Sequence, residues 1–147
     1  MNAEQKAKLA DLLAKAHVLV LSTQGDEWPT GHFQAFGQTE DLDLVVIMQE
    51  GAEKFQNLLK RPKVTAVIDN RDQGDVTKFQ VVRATIQGVA REVPKGSAEW
   101  ESLKASFLAK NPFEEPFFGN DAIRMVRITP KRISYANGLA DRFKVEL

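Results

Sequence analysis

The stretch LVVIMQEGAEKFQNLLKRPKVTAVID, residues 44–69, decides how this chain folds. Leu44 to Met48 is an uninterrupted apolar run rich in β-branched residues, short enough for a buried strand and bounded by polar residues. Glu50 and Gly51 break it. From Ala52 onward Phe55, Leu58 and Leu59 fall at i, i+3 and i+4, one face of a helix of about three turns. Glu50 and Glu53 at its start and Lys60 and Arg61 at its end suit the helix dipole, and Pro62 forbids continuation. Val64 to Ile68 then resumes a β-branched run, a second strand. A helix start pressed against a strand end turns free backbone amides and the positive end of the dipole toward whatever sits there, which is an anion-binding geometry. Lys54 stands at that start, where a cation opposes the dipole unless an anion or Glu50 compensates. By itself it reads equally well as an exposed lysine on a solvated helix face.

The 147 residues, 43% apolar and 27% charged, describe an ordinary globular chain with one core, a single domain over 1–147. Twenty basic and twenty acidic side chains cancel, so no global attraction to nucleic acid or anionic lipid exists. There is no cysteine, which excludes disulfides and thiolate metal sites, and two histidines are too few for a His-rich metal cluster. No metal site is expected, and redox work, if any, belongs to a borrowed cofactor. No apolar run approaches the roughly 20 residues that span a bilayer, and the N-terminal segment is charged and amphipathic, so a cytoplasmic, membrane-free protein is the expectation.

Outward from the deciding stretch, Asn2 to Ala16 reads as a helix, with Leu9, Leu12, Leu13 and Ala16 at helical spacing. His17, at its end, reads as a capping or packing residue. Val18 to Leu21 is a short strand closed by Ser22, Thr23 and the turn at 24–26. Trp28-Pro29 opens the next, in which Phe33 and Ala35 share one face and His32, Gln34 and Phe36 the other. With the Leu44 strand these make an antiparallel meander. After a polar loop at 69–75, a long strand is predicted from Lys78 to Val93, with a bend or bulge around Gly88. Ala98 to Lys110 is a helix striped by Trp100, Leu103 and Phe107. The segment PFEEPFFGN, 112–120, reads as irregular, and its Phe113, Phe117 and Phe118 are expected to pack on that helix or on another subunit, the subunit being favoured. Ile123–Ile128 and Arg132–Ala136 are strands joined through Thr129-Pro130, and Asn137-Gly138 signals a type I′ turn into a last strand over Leu139–Val145. The total is an α+β domain, a mostly antiparallel barrel of six or seven strands with flanking helices.

Four features of this pattern resemble the FMN-binding split barrel family, which includes the pyridoxamine 5′-phosphate oxidases. An apolar strand ending in Ser22-Thr23 precedes a turn and Trp28-Pro29. GAEKFQNLLKRPKVTAVID resembles the family's Ser-x-Lys, x-Asn-Leu, x-x-Pro-x-Val arrangement, and Ile86 to Ala90 its Val-x-Gly-x-Ala signature. Arg127 to Tyr135 resembles its Ile-Thr-Pro-x-x-Ile strand pair. The resemblance implies a homodimer with FMN, or a related flavin-like cofactor, in grooves between subunits, its phosphate at the helix after the third strand. Lys54 matches the family's phosphate-binding lysine, and His32 sits about where a phosphate-contacting arginine stands. The chain departs from the pattern at Ala52 in place of a serine, at Glu53 beside the lysine, and at Met48 in place of a hydroxyl residue. Backbone amides from Gly51 to Glu53, with Lys54 and His32, remain as phosphate donors. Met48, Val67 and the Phe33–Phe36 strand, which carries Gln34, are the expected ring walls, with Gln80 and Arg83 reaching in from the partner subunit.

Three functions are expected on this basis. The first is a flavin-dependent oxidoreductase acting on an unidentified small molecule, with no catalytic side chain named. The second is a non-enzymatic carrier or sensor of flavin, haem or another planar ligand, for which His17 and His32 are the only candidate haem ligands. The third is a ligand-free dimeric scaffold. Pyridoxamine phosphate oxidase activity itself is not expected, because the chain lacks the family's longer C-terminal substrate-binding extension.

Overall fold

The structure, a computed structural model, describes residues 1–147. In chain order it comprises α1 (Ala3–Lys15), β1 (Val18–Gln24), β2 (Pro29–Ala35), β3 (Gly37–Gln38), β4 (Leu44–Gln49), α2 (Glu53–Lys60), β5 (Lys63–Asp69), β6 (Val82–Val93), α3 (Ala98–Lys110), β7 (Ile123–Asn137) and β8 (Asp141–Glu146). Short 3₁₀ helices lie at Val76–Lys78 and Pro112–Gly119.

Local chemistry explains most boundaries. Asn2 and Gln5 form a reciprocal capping box at the start of α1, and Leu9, Leu12 and Leu13 bury its apolar stripe. Ser97 caps α3, whose Trp100, Leu103 and Phe107 are buried as the stripe predicts. α2 is shorter than expected, eight residues ended ahead of Pro62.

The strands pair antiparallel in the order β2-β1-β5-β6-β7-β4-β3, with β8 on β7. β2 and β3, at opposite ends of that order, are separated in the chain only by Phe36, so the sheet curls round on itself. Phe36 is fully buried at this corner. The expected meander is therefore made in two steps, since β2 pairs with β1 along its length and shares no ladder with β4, which pairs instead with β3.

Several expected boundaries move. The two strands predicted on either side of Thr129-Pro130 are one 15-residue strand, whose first half pairs with β4 and second half with β8 while β6 runs beside both. β6 starts at Val82 and not at Lys78, because residues 76–78 form a 3₁₀ turn and Phe79 takes a left-handed conformation, φ 55°. The bulge expected near Gly88 is present. The segment at 112–119 is helical and not irregular, in the tight 3₁₀ form that tolerates its two prolines. The β7–β8 connection spans three residues with φ +64° at Gly138 alone, and is not the type I′ turn, which needs positive φ at two positions.

The main core fills the barrel and is covered by α1 and α2. A second, smaller core lies outside the barrel, where Val45, Val93 and Met125 meet Trp100, Leu103 and Phe107 of α3. Phe118 joins it edge-on, 6.1 Å from both Trp100 and Phe107. Of the three phenylalanines in this segment it alone packs on α3, and Phe113 and Phe117 stay exposed.

Candidate functional site

The candidate residues fall into two groups. His32, Gln34, Met48 and Gly51 to Lys54 belong to the seam between β2 and β4 and the turn into α2; Val67, Gln80 and Arg83 belong to the sheet's outer face or its rim.

Strand alternation sends Thr30, His32 and Gln34 to one side of β2 and Gly31, Phe33 and Ala35 to the other. Because β2 does not pair with β4, the seam is bridged by a side chain, the Gln34 Nε2 amide donating to the Ile47 carbonyl at 3.2 Å. That bond commits the amide nitrogen and leaves Gln34 Oε1 facing inward with no donor. His32 Nε2 is likewise shielded and unpartnered. Two orphaned polar atoms on one strand face are costly, each on the order of 1–3 kcal/mol unless something external satisfies it.

β4 leads from this seam into α2. Ala52 makes no side-chain cap bond, so the first amides of α2 lack the acceptor that a serine would bring. Lys54 is half-buried, and burial alone pushes its pKa down. Glu50, which could have compensated it, is held by Arg124 at 3.0 Å. Glu53 is exposed. Met48 corrects an expectation, since it is 4% exposed inside the main core and is not open to a surface ligand.

On the outer face, register aligns Phe33, Val20, Val67, Thr85, Ser134 and Lys144 in one row across β2-β1-β5-β6-β7-β8. The row is apolar at one end, with Phe33 73% exposed, and turns polar and basic at the other. Arg83 stands beside it and donates to the Val81 and Gly138 carbonyls. Gln80 is exposed in the loop before β6, bridged to Asp75. Three hollows open along this face, of about 580, 430 and 210 Å³. The smallest is lined by Val67, Arg83, Arg142 and Lys144 among others.

Sequence reading passed over Lys110. Its ammonium lies 3.6 Å from the Phe36 ring centre and donates to the Leu13 carbonyl and Gln38 Oε1, tying α1 and α3 to the barrel corner. Burial lowers its pKa to about 8. No local signal marks such a lysine, because all its partners are distant in sequence.

No family model and no curated protein matches the chain. Solved structures do match. A haem-binding protein from Mycobacterium smegmatis aligns with 99% of this chain at TM-score 0.85 and 18% identity; this chain spans 58% of that protein's length. The haem storage protein HutZ from Vibrio cholerae aligns at 0.76 and 20% identity, covering 92% of this chain and 97% of its own. A candidate pyridoxamine 5′-phosphate oxidase from Listeria innocua aligns at 0.69 and 18% identity, covering 91% and 99%. At such identities the likeness is one of backbone architecture. The chain has the split-barrel α+β fold, a curled antiparallel sheet flanked by helices.

Proposed function

We propose that this protein holds a planar, anionic cofactor, FMN before others, at a seam between two copies of the chain. The observation that carries this reading is the set of unsatisfied groups around β2 and the start of α2: His32 Nε2 and Gln34 Oε1 without partners, and Lys54 desolvated without a counter-ion. The donors among them fit a phosphate, whereas Gln34 Oε1, an acceptor, requires an N–H donor elsewhere on the ligand. Lys54 supplies a positive charge, His32 a ring N–H, and the uncapped start of α2 its backbone amides. Ala52 and Glu53 make the set poorer than a serine-bearing one, so affinity is expected to be modest.

FMN bound there supplies one- and two-electron redox chemistry, and an oxidoreductase acting on a small molecule follows from it. The chain's own part is binding and orientation. Phe33 and Val67 point away from the barrel and reach such a ring only across a two-copy seam, with Arg83 and Gln80 at its rim. Large exposed apolar side chains in one cross-strand row support that pairing.

Haem is the second reading. It is supported by the haem-binding proteins among the matching structures, and by a face where Val67 adjoins Arg83, Arg142 and Lys144, cations suited to propionates. Titration of the purified protein with FMN and with haemin, followed by flavin fluorescence and visible absorption, tests both. Saturable quenching of FMN that weakens about tenfold in Lys54→Ala supports the first. A Soret band without FMN binding supports the second. Failure to bind either ligand overturns both.

A further inference from the structure

The 580 Å³ hollow, the largest of the three described above, uses none of the residues assigned to the cofactor. We propose that it is a binding site for an organic polyphosphate of nucleotide size.

Lys131 and Arg132 are adjacent in sequence, and a regular strand would send them to opposite faces. They do not go there. Gly88 faces Pro130 and Gln87 faces Arg132, so Lys131 is an extra residue bulged out of β7. The bulge breaks the alternation, and both cations become exposed lining of the same trough. Gly88 is what admits this geometry: a Cβ there would lie 2.6 Å from the Thr129 carbonyl oxygen.

A third cation, Lys63, enters at the start of β5, and the 12 lining residues include no carboxylate. Register adds neutral donors in one row, since Ser22 pairs with Thr65, Thr65 with Gln87, and Gln87 with Arg132. The one internal rival is Glu146, 3.1 Å from Arg132, but both of those side chains are well exposed, 66% and 77%, so the pair is weak and easily exchanged. Three like charges gathered in one trough repel one another until an anion arrives. A single phosphate, with at most two charges near neutral pH, cannot neutralise all three. Two or more linked phosphates can, with the guanidinium fork of Arg132 on one group, the ammonium ions on the next, and the hydroxyls of Ser22 and Thr65 completing the shell. At about 580 Å³ the trough is of nucleotide-ligand size, and only two of its 12 lining residues, Val64 and Val89, are hydrophobic, which argues against a lipid.

The test is calorimetric titration of the full chain with ADP, inorganic pyrophosphate, adenosine and citrate, with Trp28 fluorescence as a second readout, since Trp28 is 76% exposed beside the trough residue Pro29. Saturable binding of ADP and pyrophosphate that weakens with added salt is expected. Lys131→Ala and Arg132→Ala should each weaken it about tenfold, with unchanged urea midpoints, while Lys95→Ala leaves it intact. Adenosine binding as tightly as ADP, citrate matching pyrophosphate, no saturable signal, or full affinity in the Lys131→Ala/Arg132→Ala double variant would each overturn the assignment.

Discussion

Over β4 and the adjoining ends of β6 and β7, the outward side chains Val45, Val93 and Met125 are fully buried under α3; over β2, β1 and β5, the outward Phe33, Val20 and Val67 also form an apolar row, and no element of the chain covers it. The difference lies in the segment that adjoins each patch. β6 runs directly into the turn at 94–97 and then α3, so the first patch is sealed by the next length of chain. The second runs sideways across strands into Thr85, Ser134 and Lys144, a gradient from apolar to basic that no single helix stripe would match. One face is finished as core, and the other is left open, apolar at one end and basic at the other.

That contrast can be broken from the covered side first. Phe107 is fully buried in the second core, with its Cα 3.3 Å from where a Cβ on Gly37 would stand, so Phe107→Ala opens a cavity that the barrel wall cannot close. A loss of about 3–5 kcal/mol in urea unfolding is expected. Asp43 accepts from Arg127 Nε at 2.7 Å and from Thr129 at 3.4 Å, at the border of the same region. Asp43→Ala leaves the largely shielded Arg127 guanidinium with only the longer 3.5 Å contact to Glu99 and should cost about 1–3 kcal/mol in the same measurement.

Lys110 tests the corner at which the barrel closes. In the unfolded chain its pKa is the ordinary 10.5, and in the fold it is about 8. Between those values the unfolded state binds more protons, so stability gains with rising pH across that window, while below about pH 8 the full penalty of burying the charge remains. The difference in urea midpoint between the native chain and Lys110→Met should therefore shift in favour of the native chain from neutral pH to about pH 10, and a flat difference would contradict the assignment. On the bare side Phe33→Ser removes a side chain that contacts little, so monomer stability should change by about 0.5 kcal/mol or less. Sedimentation should nonetheless show the proposed dimer weakened; a dimer indifferent to Phe33 would place the partner elsewhere.

Much of the covered architecture was readable locally. The β-branched runs at 44–48 and 64–68, the proline at 62 and the Trp100, Leu103, Phe107 stripe each state an element within a few residues, and each is found. Lys54 could be singled out because a cation at a helix start conflicts with the dipole. Met48 reads as a wall from sequence and is core in the fold, because a fully apolar run has no alternation to tell its two faces apart. The orphaned atoms of His32 and Gln34 were invisible because they depend on a seam between strands that do not pair.

Sequence alone determined the periods, caps and breaks of the elements, since propensity, capping and proline sterics act within a turn or two. Tertiary structure decided closure at Phe36, the bulge that turns Lys131 and Arg132 to one side, and which apolar face is sealed. Those depend on register between strands tens of residues apart, where a shift of one residue exchanges inside for outside.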